Sequence, residues 1–152
     1  MRVVHELQEL EALVGIELGC SAWLQVTQAM VDDFSRITGD NQWVHLDIER
    51  AKRELPEGTP IVQGLLTLSL VVKFGQETLD IQGVKRLINY GYNKVRFPAP
   101  IPVGTFLRGI QTLQSTTRLS PDALRMESVF TVEGKGIDRP VCVAEAVMVV
   151  YV

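Results

Sequence analysis

The sequence predicts an α+β domain in which an antiparallel β-sheet wraps around one long buried helix. Two patterns support this prediction. Between Gln63 and Glu77, apolar side chains occur on every side of a helical projection, which is typical of a helix enclosed by protein. From Leu124 to Glu133, apolar and polar residues alternate with a period of two, which is typical of a strand with one solvent-facing side. A sheet curled around a single helix accounts for both patterns.

The N-terminal half predicts two helices joined by a polar loop. The first helix begins at an N-cap, Thr27, and ends at Gly39, a residue type that often terminates helices. Its apolar residues recur at helical spacing and form one stripe: Met30, Val31, Phe34 and Ile37. The loop, GDNQWVHLD, leads into a short helix from about Asp47 to Glu54, and Pro56 and Gly58 then interrupt the chain.

The C-terminal half predicts strands. Val141 to Val152 is apolar on both faces apart from Glu145, as expected of a central strand. Two further strands are predicted over Leu87–Phe97 and Phe106–Thr117, separated by PAPIPVG, and a weaker candidate covers Cys20–Val26. About five antiparallel strands around one enclosed helix form the arrangement called a hot-dog fold, and a single such domain is predicted over residues 1–152.

Composition excludes several classes of protein and of site. The chain has 152 residues, 46% hydrophobic and 22% charged, with a net charge of −3, so disordered, coiled-coil and nucleic-acid-binding classes are not expected. Cys20 and Cys142 lie far apart with no metal-ligand spacing, which predicts buried thiols, no disulfide and no metal site. The N-terminal segment MRVVHELQELEAL carries acidic residues and no continuous apolar region, so a signal peptide is not expected there. The apolar stretch from Ile61 to Val72 is shorter than the ~20 residues that span a bilayer. A soluble cytoplasmic protein without a membrane partner is therefore expected.

Asp40 and His45 are the first candidate site. A carboxylate and an imidazole on one loop can share a proton of water or substrate, as general acid–base catalysis requires. The spacing alone leaves the alternative open that Asp40 is a turn residue and His45 a structural one. His5 lies in a charged segment and is expected at the surface.

Gly64 is the second candidate, because it follows PIVQ at the start of the apolar helix. The first turn of a helix presents unpaired N–H groups and a partial positive charge that can hold a developing oxyanion. The alternative is that Gly64 only allows close packing of the helix against the sheet.

Three segments together resemble one known family. Phe34 to His45 reads F-x-x-x-TGD-x-Q-W-x-H and resembles the hydratase signature of the MaoC-like dehydratases, which include (R)-specific enoyl-CoA hydratases. Gly58–Leu70 and Ile88–Gly104, the latter INYGYNKVRFPAPIPVG, resemble the nodulation protein N-like branch and actinobacterial 3-hydroxyacyl-thioester dehydratases. The resemblance extends from about Leu18 to Val152.

The resemblance implies a hydro-lyase that reversibly adds water, in syn geometry, to a trans-2-enoyl thioester of CoA or acyl-carrier protein. It implies that Asp40 and His45 are catalytic, that the Gly64 N–H binds the thioester carbonyl, and that no cofactor is needed. It also implies a hot-dog homodimer. Two amides at substrate-binding positions depart from the usual family pattern: Gln42 stands where Asn is usual, and Gln63 where His is usual.

Two other functions remain open at this stage. A hot-dog acyl-CoA thioesterase would act on the same class of substrate but would direct water at C1 instead of C3. A non-catalytic acyl-thioester-binding subunit is the third possibility, and the substitution at Gln63 is the sequence feature that favours it.

Overall fold

The computed structural model describes all residues, 1–152, and contains one large sheet, one small sheet and five helices. The helices are α1 (Leu7–Glu11), α2 (Gln28–Thr38), α3 (Trp43–Leu46), α4 (Ile48–Glu54) and α5 (Gly64–Thr78). The strands are β1 (Arg2–Val4), β2 (Glu17–Cys20), β3 (Leu24–Gln25), β4 (Leu79–Ile81), β5 (Arg86–Arg96), β6 (Phe106–Ser120), β7 (Ala123–Gly134) and β8 (Cys142–Tyr151). No helix is both long enough and apolar enough to cross a bilayer.

The large sheet is antiparallel and runs in the order β2-β6-β7-β8-β5, with β3 also paired to β6. Helix α5 lies against its concave face, where Phe74 is fully buried beside Phe130. Gly109 on β6 makes this approach possible, because a Cβ added there would lie 2.7 Å from the Cβ of Phe74. The predicted hot-dog arrangement, a sheet wrapped around one helix, is confirmed.

The apolar residues on every side of helix α5 predicted that the chain encloses it completely. That prediction is wrong for the single chain, because one face of the helix is exposed. Leu65 is 59% exposed and Val72 50% exposed, and the two residues, seven positions apart, lie on one face of the helix. The sheet covers only one side of the helix, which leaves this second apolar face open. Ile37, the last residue of the apolar stripe predicted on α2, is also exposed, while Val31 of the same stripe is buried.

The strand predicted over Cys20–Val26 is wrong in its bounds, because the chain forms two short strands there. Ser21 interrupts the pairing, since its hydroxyl oxygen accepts the N–H of Gly109 in place of a backbone carbonyl. The next N–H, that of Ala22, donates to the carboxylate of Glu77 on α5. These two contacts turn the chain away from the sheet edge before it returns as β3.

The polar loop after Gly39 contains a helical turn that the sequence did not predict. This turn is α3, closed by the Asp47 N–H donating to the Trp43 carbonyl at 2.9 Å. Asp47 then caps α4 by accepting the N–H of Arg50, also at 2.9 Å. His45 therefore lies on a short helix anchored at both ends.

The N-terminal residues form a small layer that sequence reasoning also missed. Strand β1 pairs in parallel with β4, and Val4, Leu7 and Leu10 bury themselves against Leu113 of β6 in a second core. The charged residues between these apolar positions conceal the pattern, because β1 and α1 are only 3 and 5 residues long.

Candidate active site

The end of helix α2 places Asp40. The helix stops at Thr38, and Gly39 takes a left-handed conformation with φ of 77°, which turns the following residue toward α3. The Asp40 side chain is 34% exposed, and its Oδ2 lies 3.8 Å from Nε2 of His45. This separation is longer than a direct hydrogen bond, so both atoms keep accepting capacity for a third group.

His45 is held by one ring nitrogen and faces Asp40 with the other. Its Nδ1 lies 2.6 Å from the carbonyl oxygen of Ile61, and the residue is buried. Because a carbonyl can only accept, Nδ1 must carry the proton of this hydrogen bond. Nε2 is the ring nitrogen that faces the Asp40 carboxylate.

Gly64 is the first residue of α5, and its N–H has no acceptor in the protein. The segment that leads into it is fixed from two sides. Ile61 donates its N–H to the carbonyl of Val44 at 2.9 Å, and Val62 donates its N–H to the carbonyl of Ile101 at 2.8 Å. Since Ile61 bonds to α3 through both its N–H and its carbonyl, the start of α5 and the helix of His45 form one unit.

Gly64 also permits a close aromatic contact. A Cβ added at this position would lie 2.9 Å from the ring of Phe97, which directly follows β5. The structure therefore shows the packing role that the sequence left open as an alternative, and it also shows a free N–H at the same residue. Phe97 lies at the end of a predicted strand, and nothing in the sequence spacing indicates that its ring packs against Gly64.

The two glutamines differ in their surroundings. Gln42 is exposed at the start of α3, and its side chain makes no capping hydrogen bond. Gln63 is buried, and its Nε2 donates to the carbonyl of Val31 at 3.2 Å and to the hydroxyl of Ser35 at 2.8 Å. The side chain of Gln63 thus points to helix α2, and its Oε1 is buried without a partner.

Gln28 is a further residue of the site that sequence reasoning missed. Its Nε2 donates to the carbonyl of His45 at 2.9 Å and to the carboxylate of Asp32 at 2.8 Å. Nothing in the sequence distinguishes Gln28 from an ordinary polar residue in a first helical turn. The carbonyl of Ile61 was equally invisible, because a backbone group has no sequence signature.

An apolar cavity of about 450 Å³ lies between the second half of α5 and strand β5. Its lining is mainly aliphatic and aromatic and includes Val71, Val72, Tyr92, Met126, Phe130 and Met148. The cavity also reaches Gln111, whose amide is bonded to Thr78 and Ser128 inside the core. An apolar ligand of moderate length is the kind of molecule that such a lining suits.

The other chemically reactive side chains lie away from this site. No group of three or more His, Cys, Asp or Glu side chains is placed to hold a metal ion. Burial raises the pKa of the Cys142 thiol to about 11. Cys20, by contrast, is exposed, so the prediction of two buried thiols is wrong for this residue. The pKa of Cys20 is still raised, by partial desolvation of its thiol in the first place, with the neighbouring Arg108 acting in the opposite direction. Neither thiol is activated as a nucleophile.

Comparison with known proteins identifies the family to which the chain is similar. Residues 9–128 match the family model described as the MaoC-like domain. The chain is 40% identical over 148 residues to 3-hydroxyacyl-thioester dehydratase Z of Mycobacterium tuberculosis, which covers 97% of both chains. It is 36% identical to nodulation protein N of Rhizobium meliloti, over 93% of this chain and 89% of the relative.

A solved structure shows the same fold. The MaoC-like dehydratase from Rhodospirillum rubrum matches with a TM-score of 0.74 at 22% identity, and the match covers 96% of each chain. The resemblance of the three sequence segments is confirmed by these matches, since the family model takes in both the Asp40–His45 segment and Gly64. The chain belongs to the MaoC-like dehydratase family.

Proposed function

We propose that this chain is an (R)-specific enoyl-CoA hydratase, or in the reverse direction a 3-hydroxyacyl-thioester dehydratase. The observation that carries the proposal is the Asp40–His45 pair, in which Oδ2 and Nε2 are 3.8 Å apart and Nδ1 is held by Ile61. The 40% identity to a 3-hydroxyacyl-thioester dehydratase over nearly the whole chain supports the same reaction.

The geometry of the pair suits the activation of one water molecule. A carboxylate oxygen and an unprotonated ring nitrogen can each accept one O–H of the same water, which directs the oxygen lone pairs of that water outward. The water oxygen then attacks C3 of the enoyl thioester. The proton that the pair takes up is returned to C2 on the same face, so the addition is syn.

Gly64 is proposed to stabilise the charge that develops during this attack. As water adds at C3, negative charge moves onto the thioester oxygen and produces an enolate. A free N–H at the first turn of a 15-residue helix is suited to that oxygen, because the helix dipole and the donor act together. In dehydration the same three groups act in reverse, and the hydroxyl leaves as water.

The substrate is proposed to be a thioester of CoA or of acyl-carrier protein, with its acyl chain in the apolar cavity beside α5. Gln42 is exposed next to the helix of His45, and we propose that it contacts the thioester from the solvent side. A cytoplasmic location is also proposed, since both cysteines are free thiols, as is usual in a reducing compartment.

One assay tests the reaction class. Crotonyl-CoA and a longer trans-2-enoyl-CoA are incubated with the protein, and loss of the enoyl absorbance is followed in parallel with release of free CoA. Hydration predicts loss of absorbance without free CoA. Release of CoA would indicate a thioesterase, and no turnover of either substrate would favour a non-catalytic binding subunit.

We further propose that the chain forms a homodimer. Strand β5 is an edge strand of 11 residues, and its Leu87 and Tyr90 are 50% and 72% exposed. A long edge strand with exposed apolar residues tends to pair with another chain. The open face of α5, with Leu65 and Val72, adds apolar surface that a second copy would cover.

A further inference from the structure

Gln63 stands between the two halves of the site. Its backbone precedes Gly64 directly and serves as the N-cap position of α5, with φ of −62° and ψ of 134°. Its side chain reaches back to helix α2, the helix that ends one residue before Gly39 and so delivers Asp40. No other side chain forms hydrogen bonds from the first turn of α5 to α2.

Both hydrogen bonds from Gln63 to α2 are donated by the same amide nitrogen. Nε2 lies 2.8 Å from Oγ of Ser35 and 3.2 Å from the carbonyl oxygen of Val31. All three residues are buried, with exposures of 2%, 2% and 0% for Gln63, Ser35 and Val31. The bonds are therefore shielded from competing water, and they fix the amide in one orientation.

We propose that Gln63 is a positioning residue, which sets the distance of the Gly64 N–H from Asp40 by fastening the start of α5 to helix α2. This inference rests on the proposed function for its catalytic consequence. Gln63 then acts by placing the backbone N–H of Gly64, and its own side chain does not contact the thioester.

The alternative is that Gln63 only fills space in the core. The unpaired side-chain oxygen of Gln63 distinguishes this alternative from the positioning role. Oε1 is buried with no donor, which carries a free-energy penalty that an apolar side chain would not have. Removal of the amide is expected to leave few groups unpaired, because Ser35 follows Val31 by four residues on α2, the spacing at which a serine hydroxyl can donate to a helix carbonyl. The unpaired Oε1 of the amide thus lowers the stability of the fold, whereas its Nε2 makes the two hydrogen bonds that hold the start of α5 to α2.

The test uses Gln63→Leu, which removes both donors, and Gln63→His, which restores one. Gln114→Leu is the matched control, because Gln114 is exposed on β6 and makes no side-chain hydrogen bond. With an enoyl-CoA substrate we expect kcat of Gln63→Leu to fall roughly 10- to 100-fold, the scale of a small misplacement of a catalytic group. KM should change by less than about threefold, since only the charge-bearing transition state depends on the N–H. Gln63→His should recover part of kcat, and the control should match the wild type.

A second measurement does not depend on turnover. In 15N-labelled protein, the amide resonances of Gly39 and Asp40, at the end of α2 and remote in sequence from the substitution, should shift or broaden in Gln63→Leu and stay unchanged in Gln114→Leu, while the melting temperature of Gln63→Leu stays close to that of the wild type. If the wild type hydrates no enoyl thioester, the proposed function has failed, and these two resonances alone decide the role of Gln63. A folded Gln63→Leu protein with wild-type kcat, or with unchanged Gly39 and Asp40 amide resonances, would overturn the inference.

Discussion

His45 uses its two ring nitrogens for different tasks, and this division governs the effect of substitutions at the pair. Nδ1 is committed to the Ile61 carbonyl, so only Nε2 is available to act with Asp40. We predict that Asp40→Asn and His45→Ala each lower the hydration rate by ~10²–10⁴, the usual contribution of a positioned acid or base. Initial rates with a trans-2-enoyl-CoA measure this.

The double substitution should be little slower than either single one, because both groups act on one water molecule. Asp33→Asn is the control, since Asp33 lies on the solvent face of α2 and pairs only with Arg36. Near-wild-type turnover by both single variants, on every enoyl thioester tested, would show that the catalytic assignment is wrong.

Cys142 gives a prediction about alkaline stability. Burial raises the pKa of its thiol from 9.0 to about 11, so the folded state favours the protonated form. The stabilisation is complete below pH 9 and is lost as the pH rises toward 11, because the unfolded chain then releases the proton more readily. Between pH 9 and pH 11 the melting temperature of Cys142→Val should therefore fall by less than that of the wild type, as measured by circular dichroism.

A thiol assay provides the check on this prediction. At pH 8 a thiol reagent should modify Cys20 while Cys142 stays protected, and both should react after unfolding. Rapid modification of Cys142 in the folded protein would contradict the burial that the prediction depends on.

The candidate site residues show which parts of a proposed mechanism a sequence can reveal. Asp40, His45 and Gly64 stand out because their residue types carry chemistry or backbone freedom at a helix end. The carbonyl that orients His45 does not stand out, because every residue has one. Gln63 was expected at the substrate, and its side chain faces α2 instead, because direction depends on how α2 and α5 pack.

Packing of α5 on β6 depends on a position without a side chain, and this yields a prediction about elements. Gly109→Ala would place a methyl group 2.7 Å from the Cβ of Phe74, so the helix would have to move away from the sheet. We expect a loss of about 1–3 kcal/mol in the free energy of unfolding, the usual cost of overpacking a core. Urea titration measures this.

Thr112→Ala is a suitable control, because Thr112 lies on the same strand and belongs to the opposite face of the sheet. Because alanine is favoured over glycine inside a strand, a loss of stability at position 109 cannot come from strand propensity. A Gly109→Ala variant as stable as the wild type would show that the close approach to Phe74 does not restrict this position.

Long helices and strands were predicted well from the sequence, and short ones were not. The bounds of β7 and β8 came within one residue of the predicted ones, because each strand has ten or more residues of consistent pattern. Helix α3 and strand β1 have 4 and 3 residues, too few for a period to be visible, and their formation depends on partners elsewhere in the chain. The exposure of Leu65 escaped prediction because the pattern of α5 does not say which molecule covers its second face.

At the scale of the whole molecule, the open faces of α5 and β5 predict self-association. Light scattering should give twice the chain mass of 16.9 kDa at micromolar concentration. Val72→Lys places a charge on the open face of α5 and should shift the mass toward that of a monomer, because a buried unpaired charge is costly.

Lys52→Glu offers a charge-changing control, because Lys52 is exposed on α4 and pairs only with Glu49, and it should leave the mass unchanged. A particle of 16.9 kDa for the wild type across the concentration range would rule out the homodimer.

The pairing of β1 with β4 has a consequence for the order in which the molecule opens and closes. Strands β6, β7 and β8 follow one another through short turns, whereas Arg2 pairs with Leu79 across half of the chain. Contacts between distant segments cost more loop-closure entropy, and three residue pairs give little in return. In native-state hydrogen exchange the amides of β4 should therefore exchange first and those of β7 last, so that the N-terminal layer detaches while the fold around the proposed catalytic pair persists.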